Sequence, residues 1–551
     1  MVRISLAIAL TCLGSTAGCR STGRDGSMGG GQAILFDGLG DHHRKITTAS
    51  PQAQRYFDQG LTWAFAFNHD EAIRSFKEAA RLDPGCAMAY WGIALCNGPH
   101  INNPAMTPKQ SAAAWDALQK ALELKDKSSR TERALIEALA HRYDLPAPPD
   151  RKPFDEAYAE AMGQVWITNR SDADVGALYA EARMDLRPWD LWTHDGKPQP
   201  GTEEIIAVLD HVLSTDPDHP GVNHLYIHAV EASPSPSRAL AAADRLRNAV
   251  PASGHLMHMP SHIDVLTGAW DKAARQNELA IAADRKYRKQ VPKQGFYRVY
   301  MAHNQHMLAF ACMMQGRSKD AIRAAREMVA GVPADYAKEN AALVDGYMGA
   351  PYDALKRFGR WDEILREPPP PAYLPITTAM WRFNRGVSYA AKGQLAQAER
   401  EQLAFKQAVA KVPPDAVMAI NPAHKILSIA DHMLAGEIAI ARKDLDKAIA
   451  ELTEAVALED QLAYMEPPEW VQPVRHTLGA VLLSAARYDE ADRVYRADLQ
   501  EWPNNGWSLY GLSKALRAQG RTAEADKIQK QFQAVWAGAD IKIDSSCLCV
   551  Q

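Results

Sequence analysis

Seven histidines fall between His224 and His306, where the whole-chain frequency would place about three. They share a register. His224, His258 and His306 each lie fifteen residues before an alanine: Ala239, Ala273 and Ala321. His228 and His262 lie eleven before Ala239 and Ala273, and His255 and His303 lie eighteen before Ala273 and Ala321. Residues three, four and seven apart share one face of a helix. His224 with His228, His255 with His258 and His262, and His303 with His306 therefore form stripes on three successive helices. Neutral imidazole is the commonest side-chain ligand of late first-row metals, so converging stripes predict a transition-metal site for zinc, copper or iron. Seven imidazoles exceed one tetrahedral ion. Either some stand behind the ligands as hydrogen-bonding partners or the site takes two ions.

Carboxylates extend the set. Aligning Leu178-Tyr179 with Leu225-Tyr226 puts Glu181 where His228 stands one repeat later, so Glu181 is expected to complete the ligand shell, and Glu231 flanks it. Met257, Met259, Met301 and Met307 also lie nearby, where unbranched apolar side chains serve as packing between helices. His476 stands fifteen residues before Ala491, at the same repeat position but several units away, and is expected to be unconnected. His69, His100 and His141 read as turn or surface residues. The competing account of the cluster is a wet groove of neutral imidazoles that recognises a peptide or an acidic partner. No His-Glu-x-x-His, Gly-x-Ser-x-Gly, phosphate-loop or dinucleotide motif is present. A histidine-held metal with an open position can nevertheless activate water or oxygen, with Glu181 or Glu231 as base. Two functions follow: a scaffold or binding protein with a metal site, and as alternative a metalloenzyme of the cell envelope.

The elements that must position these residues are helix pairs. Gly60, Trp63, Ala72, Phe76, Ala79 and Pro84 stand at the spacing of the tetratricopeptide repeat, with Phe67-Asn68-His69-Asp70-Glu71-Ala72 as its interhelix turn. The pattern returns with Gly386, Tyr389 and Ala398, with Gly436, Ala439, Ala448 and Ala455, with Gly479, Leu482, Ala491, Tyr495 and Pro503, and with Gly511, Gly520 and Ala525. The chain thus resembles the tetratricopeptide family. That resemblance implies an all-α solenoid of antiparallel helix pairs whose first helices line a concave groove, and a protein or peptide partner. Periods and turn signals give about twelve pairs from Ser50 to Trp536. The segments Asn223 to Glu231, Gly254 to His262 and Tyr464 to Trp470 resemble stretches of bacterial tetratricopeptide proteins of unassigned function. Loops too long for the basic repeat run from Asn97 to Thr107, Leu145 to Pro153, Arg187 to Gly201 and Glu367 to Pro375. Of these, Arg187 to His194 is the expected lid.

The expected organisation is a signal peptide over 1–19, a flexible Gly-rich tether over 20–49, an array with the His-rich repeats over 50–366, a Pro-rich linker over 367–375, a second array over 376–540 and a Cys-containing tail over 541–551. Arg3 followed by Leu6-Ala7-Ile8-Ala9-Leu10 reads as a secretory signal. Thr16-Ala17-Gly18-Cys19 resembles the bacterial lipobox, which implies lipidation of Cys19, a membrane anchor, and residence at the outer membrane or in the periplasm. Ser15-Thr16-Ala17 would instead suit cleavage to a free protein. Cys86, Cys96, Cys312, Cys547 and Cys549 remain after Cys12 and Cys19, an odd number at spacings that make no disulfide framework. Cys547 and Cys549 could bind a soft metal, oxidise, or simply end a mobile tail. A formal net charge of −4 and no long basic run exclude nucleic acid as a partner.

Overall fold

A left-handed backbone residue recurs five positions before the repeat alanine and sets the architecture. Phe67, Gly268, Gly316, Gly393, Lys443, Ala486 and Gly520 all hold positive φ, ahead of Ala72, Ala273, Ala321, Ala398, Ala448, Ala491 and Ala525. At each the chain leaves one helix and enters the next antiparallel to it, as from Pro51–Phe65 into His69–Leu82 or from Pro375–Ala391 into Leu395–Val409. The alanines are fully buried where the two helices approach most closely. Bulky side chains on the second helices slot between the first helices of consecutive repeats. Phe76 is sandwiched by Gly60 and Gly92, and Tyr495 by Gly479 and Gly511, each glycine so close that a Cβ would lie within 3 Å of the ring. Side-chain caps from Ser50, Thr107, Ser129, Asp172, Ser253 and Asn505 start helices where the loops end.

The computed structural model describes residues 33–550. Over these residues the fold is the expected all-α solenoid of about twelve antiparallel helix pairs. The one small sheet among them pairs Val417–Met418 with Asn421–Pro422. None of the described helices is long and apolar enough to cross a membrane. The expected secretory signal, Cys19 and the glycines from Gly23 to Gly31 lie outside the described residues.

Three expected boundaries change. Residues 35–49 are packed rather than a tether. Leu39 and Ile46 are buried, Arg44 donates to Asp172 and Asp174 at 2.8 and 2.9 Å, and the Thr47 amide donates to Glu132 at 2.6 Å. The Pro-rich segment over 367–375 does not divide the array, since everything from Leu35 onward is one compact unit. The later repeats curl back on the central ones: Trp270 Nε1 donates to the Pro503 carbonyl at 2.9 Å and Trp507 Nε1 to that of Met313 at 2.8 Å. The tail is no mobile end. Cys547 and Cys549 are joined as a buried disulfide, and Ser546 Oγ donates to the His476 carbonyl at 2.8 Å while meeting Tyr495 Oη at 2.6 Å. Apolar Ile541, Ile543, Leu548 and Val550 give this segment something to bury.

Candidate metal centre

His224 and His228 ride on Pro220–Val230, His303 and His306 on Arg298–Met314. The helix between them is broken by Pro260 into Gly254–His258 and Pro260–Leu266, because proline has no amide hydrogen to continue the ladder. His255 and His258 precede the break and His262 follows it. The rings group as two triads, with His255 and His258 of one short helix in different ones. Ring nitrogens of His224, His228 and His255 lie within 4.8 Å of one another, and so do those of His258, His262 and His303.

Hydrogen bonds fix which nitrogen of each ring carries the proton. His224 Nδ1 donates to the Phe65 carbonyl at 2.7 Å, since a carbonyl can only accept. Asn277 Nδ2 donates to the Ala273 carbonyl, so Asn277 Oδ1 is the acceptor that takes a proton from His258 Nδ1 at 2.7 Å. His262 Nδ1 donates to Glu231 Oε2 at 2.6 Å, and His228 Nδ1 to Glu231 Oε1 at 2.8 Å. Each of these four rings therefore presents a bare lone pair at Nε2. His258 Nε2 and His262 Nε2 face each other at 2.7 Å, and His224 Nε2 faces His255 Nε2 at 3.1 Å. The facing lone pairs of His258 and His262 repel unless a cation stands against both, whereas His255, with no partner at Nδ1 among the described residues, can donate from Nε2 to His224. Among the described residues, His228 Nε2 is buried with no hydrogen-bond partner at all.

Protonation is a poor way to relieve this. Burial, with the adjacent His262, holds His258 well below the ordinary imidazole range, and burial with His228 does the same to His224. Burial opposes ionisation of Glu231, but the His228 and His262 imidazoles outweigh it and hold that carboxyl below its usual range. Glu466 goes the other way. Burial and the Glu231 charge push its carboxyl well above the ordinary value, while its Oε1 lies 3.1 Å from His262 Nδ1. Glu466 comes from the loop after the helix Leu445–Glu459, so the curled-back repeats close over the second triad.

Aromatic rings wall the first triad. Phe67 lies 4.5 Å from the His224 ring and 5.8 Å from that of His255, and Trp189 meets His228 edge-on at 5.5 Å. Both residues hold left-handed backbone, with φ of 53° and 59°, a conformation that costs a bulky residue of order 1–3 kcal/mol and concentrates at functional sites. Trp189 Nε1 donates to Asn102 Oδ1 at 3.1 Å, which ties the expected lid over Arg187 to His194 to the loop after Asn97.

Six of the predicted ligands thus come together, and two do not. His306 is buried against Tyr347, with ring centroids 5.8 Å apart, outside both triads. Glu181 lines a separate small cavity with His69, Arg142 and Asp185, and the carboxylates at the triads are Glu231 and Glu466 instead. Glu181 follows the register of His228, but its neighbours are Arg142 and Asp185. Burial and Asp185 push its carboxyl above the usual range. His100 is buried rather than superficial, 4.7 Å from the Phe67 ring and 4.5 Å from that of His69, whereas His141 is exposed. Met259, Met301 and Met307 are core packing. Nor is the cluster an open groove, for its rings other than His303 are at most 7 % exposed.

No family model matches the chain, and no curated protein matches it. Solved structures similar to it include the human IFIT1 dimer with m7Gppp-AAAA, at 14 % identity over 89 % of this chain and 92 % of that one, with a TM-score of 0.34. The Cut9–Hcn1 hetero-tetramer of APC/C gives 13 % identity, 89 % and 74 % coverage and a TM-score of 0.29. The P58(IPK) TPR domain gives 12 % identity, 85 % and 99 % coverage and a TM-score of 0.21.

Proposed function

We propose that this chain is an exported helical-repeat protein that holds transition metal in a buried imidazole centre of its central repeats, with the surface of the array serving to bind a protein partner. The facing lone pairs of His258 and His262 carry the metal reading: Asn277 and Glu231 fix both Nδ1 protons, so each Nε2 can only accept. Nitrogen donors backed by carboxylates fit zinc, copper(II) or iron better than magnesium or calcium. The buried Cys547–Cys549 disulfide supports an oxidising compartment and hence export.

Protein purified without an affinity tag should carry metal, and His258→Ala with His262→Ala should lose it together with its effect on melting, while His69→Ala keeps both. A double variant with full metal content would refute the metal reading of these imidazoles. For export, Cys19→Ser should move the protein from membranes to the soluble envelope fraction, and unchanged membrane association would refute the anchor.

A further inference from the structure

Resting on the metal reading above, we infer that the centre is a pair of three-imidazole sites, each taking one divalent ion of the zinc class, and that Glu231 positions a ligand in both. Donors to one tetrahedral ion at bonds of 2.0–2.1 Å lie about 3.3 Å apart. The imidazole nitrogens fall into two triads, each within 4.8 Å and so near enough to draw in around an ion; no histidine belongs to both, and the group of His228, Glu231, His262 and Glu466 bridges them. A single ion in the first triad would leave the facing Nε2 atoms of His258 and His262 unrelieved, and one in the second would leave the buried His228 Nε2 without a partner. The division does not follow the helix break, since His255 and His258 share the helix Gly254–His258 yet belong to different triads.

Glu231 stands behind the seam. Its Oε1 accepts from Nδ1 of His228, a member of the first triad, and its Oε2 from Nδ1 of His262, a member of the second. The two imidazole rings are 5.6 Å apart. One carboxylate thus fixes tautomer and orientation for a ligand of each site, as the outer carboxylate of a metal-bound histidine does for one. Only a carboxylate can do so. A glutamine has a single acceptor oxygen, so it can hold one of the two Nδ1 protons and must present an N–H to the other ring.

Titration of the metal-free full chain with zinc alone, read by calorimetry and by metal analysis after gel filtration, should give two equivalents for the unaltered protein. His224→Ala and His303→Ala should each keep one equivalent, because they strike different triads. Glu231→Gln should keep one tight ion and weaken the other 10- to 100-fold, and Glu231→Ala should weaken both. One equivalent in the unaltered protein, lost in both histidine variants, would overturn the pair of sites while sparing the metal reading. No bound zinc at all would overturn the metal reading itself. Two ions indifferent to both Glu231 variants would overturn the role given to that carboxylate. The count on the unaltered protein decides even if a variant fails to fold.

Discussion

His476 and His258 occupy the same repeat position, fifteen residues before Ala491 and Ala273, yet they do different things. His476 is buried among regular repeats and its Nε2 lies 2.9 Å from Asp498 Oδ2, an oxygen that also accepts from Asn505 and Ser508. That imidazole has a carboxylate against its Nε2, although its Nδ1 is buried without a partner among the described residues. His258 has its acceptor on the other nitrogen, and its Nε2 points at the Nε2 of His262. Elsewhere the same position holds Phe57, Phe383 or Met433, all buried. Where a hydrophobe or an imidazole with a carboxylate suffices to fill a repeat, the central repeats instead bury imidazoles whose lone pairs converge. Such burial is costly unless something accepts those lone pairs, and the difference marks the site.

The comparison breaks most visibly in metal content. His258→Phe should abolish metal at its triad while leaving the metal-free fold no less stable, because the position suits an aromatic ring as Phe383 does. His476→Ala should leave metal untouched and cost about 3 kcal/mol in denaturant unfolding, since it strips the buried Asp498 of a partner. Metal loss in the second variant would erase the distinction between the two regions.

Acid and base should strain the regions in opposite directions. Burial lowers His306 to about 4, so its neutral form favours the fold fully above the unfolded value near 6.5. That contribution, roughly 3 kcal/mol, is lost as pH falls from 6.5 toward 4. Glu437, eleven residues before Ala448 in the later repeats, is raised by burial to about 8. Its contribution is full below about 4.5 and erodes as pH rises toward 8. His306→Leu should flatten the acid limb of the melting profile of metal-free protein, and Glu437→Gln the alkaline limb. The smallest effect concerns the turns. Ala486→Gly should gain about 1 kcal/mol by relieving left-handed backbone. Phe67→Gly should lose stability and loosen metal, because the ring that packs on His224 goes with the strain. Equal gains at both turns would show that Phe67 has no role in the site.

Much of this was legible in the residues. The register of the histidines, the helix pairs and the lid could be read from spacing, because one repeat geometry governs them all. Burial of the cluster could also have been read, had His258 been aligned with Phe57 and Phe383 rather than with groove positions of the family. Phe67 carried a signal of its own, an aromatic where Gly268, Gly316, Gly393 and Gly520 stand in other turns. Glu466 lies in the singled-out segment Tyr464 to Trp470, but nothing in its spacing tied it to the histidines. It reaches His262 only because the array curls back on itself, and that curvature sums small rotations over many repeats that no local pattern encodes. The packing of residues 35–49 was hidden for a related reason, as its few buried side chains find partners some 85 to 130 residues away.

The central claim is that imidazole Nε2 atoms of the central repeats hold metal, and X-ray absorption at the metal edge of tag-free protein tests it most directly. The account predicts a shell of nitrogen and oxygen donors near 2.0–2.1 Å with the outer-ring scattering of about three imidazoles per ion. A shell without imidazole scattering, or one made of sulfur, would contradict it.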